Sequence, residues 1–199
     1  MTEMVHQTAP TQFVEAKGIR FAYRRFGKAG GVPLAFNMHF TGTMDHWDPL
    51  VTDGLAKDRE VILFDNAGIS SSSGEVPTSV EGMAANALAF VKALGLSQVD
   101  VLGFSLGGLV AQELTLAAPE LVRRLVLVGT GPRSGEGMAS LTPEAQHRAV
   151  ELTRTMACDV EFWPSLDPTA IEGSRAEILA AYRSVRDSLG QRVQERFPL

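Results

Sequence analysis

The 199-residue sequence contains one cysteine, Cys158. A single thiol excludes an internal disulfide and any metal cluster built on cysteine, and beside Ala157 it reads as an inert core thiol. Basic residues are in the minority, with 18 Lys and Arg against 23 Asp and Glu. No basic block or aromatic-basic interleaving occurs, so nucleic acid is not an expected partner. No run approaches the ~18 apolar residues of a membrane span. Met1 to Pro10 is polar and has no apolar signal core. A cytoplasmic protein without a membrane partner is the expectation. Residues 1–12, with His6 among them, are expected to form a disordered tail. What remains is 45% hydrophobic and 21% charged, the balance of a globular chain with a substantial core.

Strand and helix signals alternate. Phe13 to Ala16 and Ile19 to Phe26 read as two strands joined by Lys17-Gly18, a hairpin at the edge of a sheet. Pro33 to Met38, Glu60 to Phe64, Val99 to Leu102 and Arg124 to Val128 are short apolar runs of the kind buried on both faces of a parallel sheet. Between them lie helix signals. Asp48-Pro49 reads as N-cap and first helical residue. Ser79 opens a second helix, with Met83, Ala87, Phe90, Val91 and Leu94 at helical spacing and Gly95 at its end. A third helix runs from residue 106 to about Ala118. The predicted class is α/β: a doubly wound, mostly parallel sheet with an antiparallel N-terminal hairpin. The predicted core spans residues 13–133. Residues 134–199 are expected to be helical. Thr142-Pro143-Glu144 caps a helix toward Cys158, and a second helix carries Ile178, Tyr182, Val185, Leu189, Val193 and Phe197 on one face. No further strand signal stands out.

The chemistry is concentrated where the run Val99-Asp100-Val101-Leu102 enters Gly103-Phe104-Ser105-Leu106-Gly107-Gly108. A serine on a sharp strand-to-helix turn is pushed out of the sheet, and flanking small residues let strand and helix pass closely. The first N–H groups of the following helix lack helical partners and can face a developing negative charge. A phosphate cradle is the rival reading, since Gly103-x-Ser105-x-x-Gly108 is one residue from a dinucleotide fingerprint. Without a middle glycine, however, a side chain would meet the pyrophosphate. A purely structural turn is the second rival.

These residues resemble the α/β-hydrolase superfamily over roughly residues 13–131, most closely its small esterase, haloperoxidase-like and carbon–carbon hydrolase branch. The resemblance rests on the elbow at Ser105, on His39 after the third strand, and on Asp65-x-x-Gly68 after the fourth. It implies that Ser105 is the nucleophile. The backbone N–H groups of Leu106 and of Phe40 or Thr41 would then hold the oxyanion. Phe40 stands where the family carries a glycine, Ala67 replaces an arginine, and Ser70 replaces a second glycine. The resemblance also implies that residues from about 140 begin a cap of helices. Two further strands carrying the acid and the histidine would follow the cap, and the chain as given ends before them.

Downstream of Ser105 the one histidine is His147, and Glu136 is the acid in a loop at the appropriate end of the sheet. These two are the substitutes within the chain for the missing triad members. His39 would shape the oxyanion loop. His39 with His46 could suggest a metal pair, but no spacing matches a known ligand set, so neither metal nor cofactor is expected. Three functions stay open. One is serine-nucleophile hydrolysis of an ester-like or carbon–carbon small-molecule substrate, weak or absent if the chain is truncated. Another is a non-catalytic module that self-associates through an exposed sixth strand, Arg124 to Val128. The third is a cofactorless haloperoxidase-like or lyase activity on the same scaffold.

Overall fold

The computed structural model describes residues 5–131, 159–162 and 173–196. The chain divides into two compact units, Met1–Phe162 and Trp163–Leu199. The first holds a seven-stranded sheet in the order β1-β2-β4-β3-β5-β6-β7. Its strands are β1 (Gln12–Ala16), β2 (Ile19–Gly27), β3 (Leu34–Asn37), β4 (Glu60–Phe64), β5 (Val99–Phe104), β6 (Val122–Val128) and β7 (Asp159–Phe162). β1, β2 and β4 pair antiparallel, and every pairing from β4 through β3, β5 and β6 to β7 is parallel. This is the predicted mixed sheet with its N-terminal hairpin. The hairpin forms one edge of the sheet, with β1 outermost and β2 paired to β4.

Among the described residues, three α-helices belong to this unit. α1 (Pro49–Ala56) starts at Asp48, whose carboxylate accepts from Leu50 N–H at 2.8 Å. α2 (Val80–Ala93) starts at Ser79, whose hydroxyl accepts from Gly82 N–H at 3.1 Å. Each cap satisfies a donor that the first helical turn leaves unpaired. α3 (Leu106–Ala117) follows β5 directly. α2 and α3 cover one face of the sheet, where Phe21, Ile62, Phe64, Phe90, Val101, Ala111 and Leu114 form one buried cluster. Strand alternation sends Phe36 to the other face, where it meets Trp47 edge-on at 4.8 Å between ring centres.

Two expectations are corrected here. The sixth strand is not a bare edge, because β7 pairs with it from Arg124↔Asp159 to Leu127↔Phe162. Self-association through an exposed sixth strand therefore loses its premise. β7 also carries the first unit to Phe162, well past residue 133. The N-terminal tail is not loose throughout. His6 is 2% exposed and Ala9 is buried, and Thr8 and Ala9 N–H both donate to the Val5 carbonyl in a tight turn.

In the second unit, α4 (Arg175–Arg196) is the predicted C-terminal helix. Ser174 and Glu177 cap it reciprocally. Glu177 N–H donates to the serine hydroxyl at 3.3 Å, and Ser174 N–H donates to the Glu177 carboxylate at 2.7 Å. The Ser174 hydroxyl, donating at 2.7 Å, and then its N–H hold the Glu177 carboxyl below the usual carboxylate range. Among the described residues, no helix is long and apolar enough to cross a membrane. Cys158 and the helix expected from Thr142 lie outside the described residues.

Candidate active site

The elbow is built by backbone approach. Ser105 has φ +55° and ψ −123°, a conformation L-residues rarely adopt. The turn is pinned by Ser105 N–H donating to the Val128 carbonyl at 3.0 Å, and by Gly108 N–H donating to the Ser105 carbonyl at 2.9 Å. The three glycines are steric requirements. A β-carbon on Gly103 would stand 2.4 Å from the Gly107 carbonyl oxygen, and one on Gly107 would stand 2.1 Å from that of Asn37. At Gly108 it would lie 2.4 Å from the Thr130 methyl carbon. The Ser105 side chain makes no capping bond to its own helix. Its hydroxyl is not spent on the helix terminus, where serine usually caps.

The loop after β3 is held against the same turn, since the Asn37 and Met38 carbonyls are the groups that crowd Gly107. His39 to Gly42 then forms a tight turn closed by Gly42 N–H to the His39 carbonyl at 3.1 Å. This places the backbone of Phe40 and Thr41 at the corner of a turn that leaves the end of β3. The Phe40 side chain is 65% exposed. Phenylalanine is thus accommodated in the family's glycine position by turning its ring to solvent. Leu106, the first residue of α3, supplies an N–H with no partner inside the helix.

The histidines upstream serve the loop. The His39 ring packs edge-on to Phe104 at 5.8 Å and stacks on His46 at 6.2 Å. His46 Nδ1 accepts from Thr43 N–H at 3.0 Å, closing a capping box around the single 3-10 turn Met44–His46. That bond occupies one ring nitrogen of the suggested metal pair. His147 and Glu136, the substitutes for the triad histidine and acid, lie outside the described residues.

Three residues carry supporting roles that sequence reasoning did not assign. Asp65 is buried, accepting from Met44 N–H at 2.8 Å and Ser71 N–H at 3.3 Å. It ties the loop after β3 to the loop after β4. Gln112 is buried on α3, and its amide donates to the Gly108 carbonyl at 3.2 Å and the Gly131 carbonyl at 2.9 Å. It fastens the elbow helix to the loop after β6. A polar residue four positions after Gly108 on an apolar helix was the available signal. The third is His6, whose partners are remote in sequence.

The comparisons agree with this geometry. The alpha/beta hydrolase fold family profile matches residues 39–163, and the chain belongs to that family. RutD of Azorhizobium caulinodans, which carries a provisional carbamate hydrolase name, is 34% identical over 105 residues. Those residues are 52% of this chain and 39% of RutD. An alpha/beta hydrolase fold protein from Chitinophaga pinensis superimposes with a TM-score of 0.68 at 38% identity, covering 92% of this chain and 64% of that one. Est816, an N-acyl homoserine lactone degrading enzyme, superimposes with a TM-score of 0.56 at 28% identity, over 70% of this chain and 52% of its own. The chain thus spans about two fifths of the length of the curated relative and under two thirds of the solved ones.

Proposed function

We propose that this chain carries the nucleophile and oxyanion side of a serine hydrolase acting on acyl carbonyls that bear an oxygen or nitrogen leaving group. The observation that carries the reading is Ser105 at φ +55° between β5 and α3, beside the unpaired N–H of Leu106. Backbone strain of this kind costs about 1–3 kcal/mol and persists where surrounding structure over-determines it. The glycine contacts supply that over-determination.

In the proposed reaction, Ser105 Oγ attacks the carbonyl carbon while its proton passes to a base. The Leu106 N–H, with that of Phe40 or Thr41, holds the negative charge on the former carbonyl oxygen. The tetrahedral intermediate collapses, the proton goes to the leaving group, and an acyl group remains on Ser105. Water attacks that ester and releases the acid. His147 and Glu136 are the candidates within this chain for the base and its orienting acid. The names of RutD and Est816 point to carbamate and lactone carbonyls, and this is the support for the substrate class.

The test is labelling of the purified chain by a fluorophosphonate, with p-nitrophenyl acetate hydrolysis alongside. Stoichiometric modification mapped to Ser105, lost in Ser105→Ala, is expected. A folded protein that is neither labelled nor hydrolytic would overturn the reading in favour of a non-catalytic module.

A further inference from the structure

The N-terminal segment does something that neither the elbow nor the family comparison assigns. Its buried polar residue is His6, whose neighbours come from α1, from β2 and from the Met44–His46 turn. The ring Nδ1 lies 2.8 Å from the Thr52 hydroxyl on α1, and the backbone N–H donates to the Asp53 carboxylate at 2.7 Å. The Met44 backbone is a further polar neighbour of the ring. The Phe26 ring lies 6.1 Å from it at a tilt.

Met44 is the junction. Its N–H is held by Asp65, and its backbone neighbours the His6 ring. It opens the 3-10 turn whose cap is Thr43 and whose third residue, His46, stacks on His39. A continuous run of contacts therefore leads from His6 through Met44 and the Thr43–His46 cap to the His39–Gly42 turn. A loop tethered at one end to β3 and at the other to α1 gains order from a clamp between them, because a clamp removes conformational freedom the loop otherwise keeps.

We propose that His6 is a positioning residue: it straps Met44 to α1 and thereby holds the His39–Thr41 turn in the geometry that receives the oxyanion. The catalytic part of this statement rests on the serine-hydrolase reading; the strap itself does not. The charged groups facing the ring are Arg24 from β2, Asp53 from α1 and Asp45 from the 3-10 turn. Arg24 is ion-paired with Asp45. Burial, and after it the Arg24 charge, lowers the His6 pKa from its ordinary 6.5, and the two carboxylates oppose that only in part. The sign follows by linkage. A released His6 takes up a proton below about pH 6.5, and a docked one does so only at lower pH. Docking is therefore fully favoured above pH 6.5 and weakens as pH falls through the docked pKa.

Amide hydrogen exchange of the full chain, corrected for intrinsic rates, tests the strap without reference to activity. His6→Phe keeps a ring beside Phe26 and removes the side-chain bond to Thr52. It should speed exchange in residues 39–48 by about tenfold, the effect of losing roughly one net hydrogen bond, and leave α2 protected. His6→Gln can still donate to Met44 and accept from Thr52. It should protect residues 39–48 like the parent at pH 7.5, and keep that protection at pH 5.5 where the parent loses it. Fluorophosphonate labelling should slow with the loop opening. A parent never labelled at Ser105 would sink the hydrolase reading alone, leaving exchange to judge the strap. Unchanged exchange at 39–48 in His6→Phe would overturn the strap. So would the same pH response in His6→Gln as in the parent, which is the deciding comparison if His6→Phe loses α2 protection.

Discussion

The carbonyl oxygen of Asn37 occupies the space next to Gly107, 2.1 Å from where a β-carbon there would stand. One contact thus joins the end of β3, which launches the oxyanion-side turn, to the first turn of the elbow helix. Both halves of the candidate oxyanion hole depend on that approach. Gly107→Ala must push the β3 end and α3 apart. Because the obstacle is backbone, the cost should reach about 3 kcal/mol, at the upper end of the usual range for overpacking. Chemical denaturation of the variant should show a lowered midpoint, and fluorophosphonate labelling should fall further than the residual folded fraction explains.

Gly108 meets a different kind of neighbour, the side chain of Thr130, and this predicts a rescue. Gly108→Ala alone should destabilise by about 1–3 kcal/mol. Added to Thr130→Gly, the same alanine should cost much less, giving a coupling within the 0.5–3 kcal/mol range seen for residues in contact. A double-mutant cycle from denaturation midpoints checks it. Additive single effects would show that the Thr130 contact is not what excludes a side chain at 108.

Much of this site could be read directly from the chain, and the reason is local. Gly103 encodes a close passage between a strand and the helix that follows it, with no remote partner needed, whereas the neighbours of Gly107 and Gly108, Asn37 and Thr130, are brought up by the fold. Asp48-Pro49 and Ser79 marked helix starts for the same reason. β7 escaped notice because Asp159-Val160-Glu161-Phe162 is four residues of alternating charge and apolarity. Its pairing partner, Arg124 to Leu127, lies more than thirty residues earlier. His6 was hidden similarly: a polar tail residue is indistinguishable from a solvated one until Thr52, 46 positions on, folds against it. The exposed ring of Phe40 was also invisible, since a bulky residue in a glycine position can clash or turn outward, and only the fold decides.

The elbow strain makes a signed prediction at Ser105, the candidate nucleophile. Ser105→Ala removes the hydroxyl but keeps a β-carbon at φ +55°, so it should leave stability nearly unchanged while abolishing labelling. Ser105→Gly relieves a strain of about 1–3 kcal/mol and incurs glycine's entropic cost of roughly 0.5–1 kcal/mol. It should therefore be more stable than either by about 1 kcal/mol, the difference of those two figures. Thermal melts of the three proteins decide the order. An alanine variant as stable as glycine would mean that the positive φ is not strained.

Phe90 should be the most costly truncation of the α2–sheet contact. Its ring is fully buried, stacked on Phe64 at 4.4 Å and tilted against Phe21 and Tyr23 at 5.6 and 5.7 Å. Phe90→Ala opens a cavity among three aromatic neighbours that cannot collapse without moving β2 and β4, so a loss of about 3–5 kcal/mol is expected. Phe90→Leu should lose distinctly less, because most of the volume stays filled. Denaturant midpoints at constant slope would check both values.

Asp100 separates folding from chemistry. It is 1% exposed at the second position of β5, and both its oxygens are engaged. Arg123 approaches in a fork at 2.8 and 2.9 Å, and Arg59 Nη2 lies at 2.5 Å. Removing one member of such a buried cluster leaves uncompensated charge, so Asp100→Ala should destabilise by about 3–5 kcal/mol. Ser105 lies beyond the opposite end of the same strand. At a temperature where Asp100→Ala remains folded, its fluorophosphonate labelling rate should match the parent's. A rate loss in fully folded protein would mean that the register of β5, rather than the local glycine contacts, sets the geometry of the elbow.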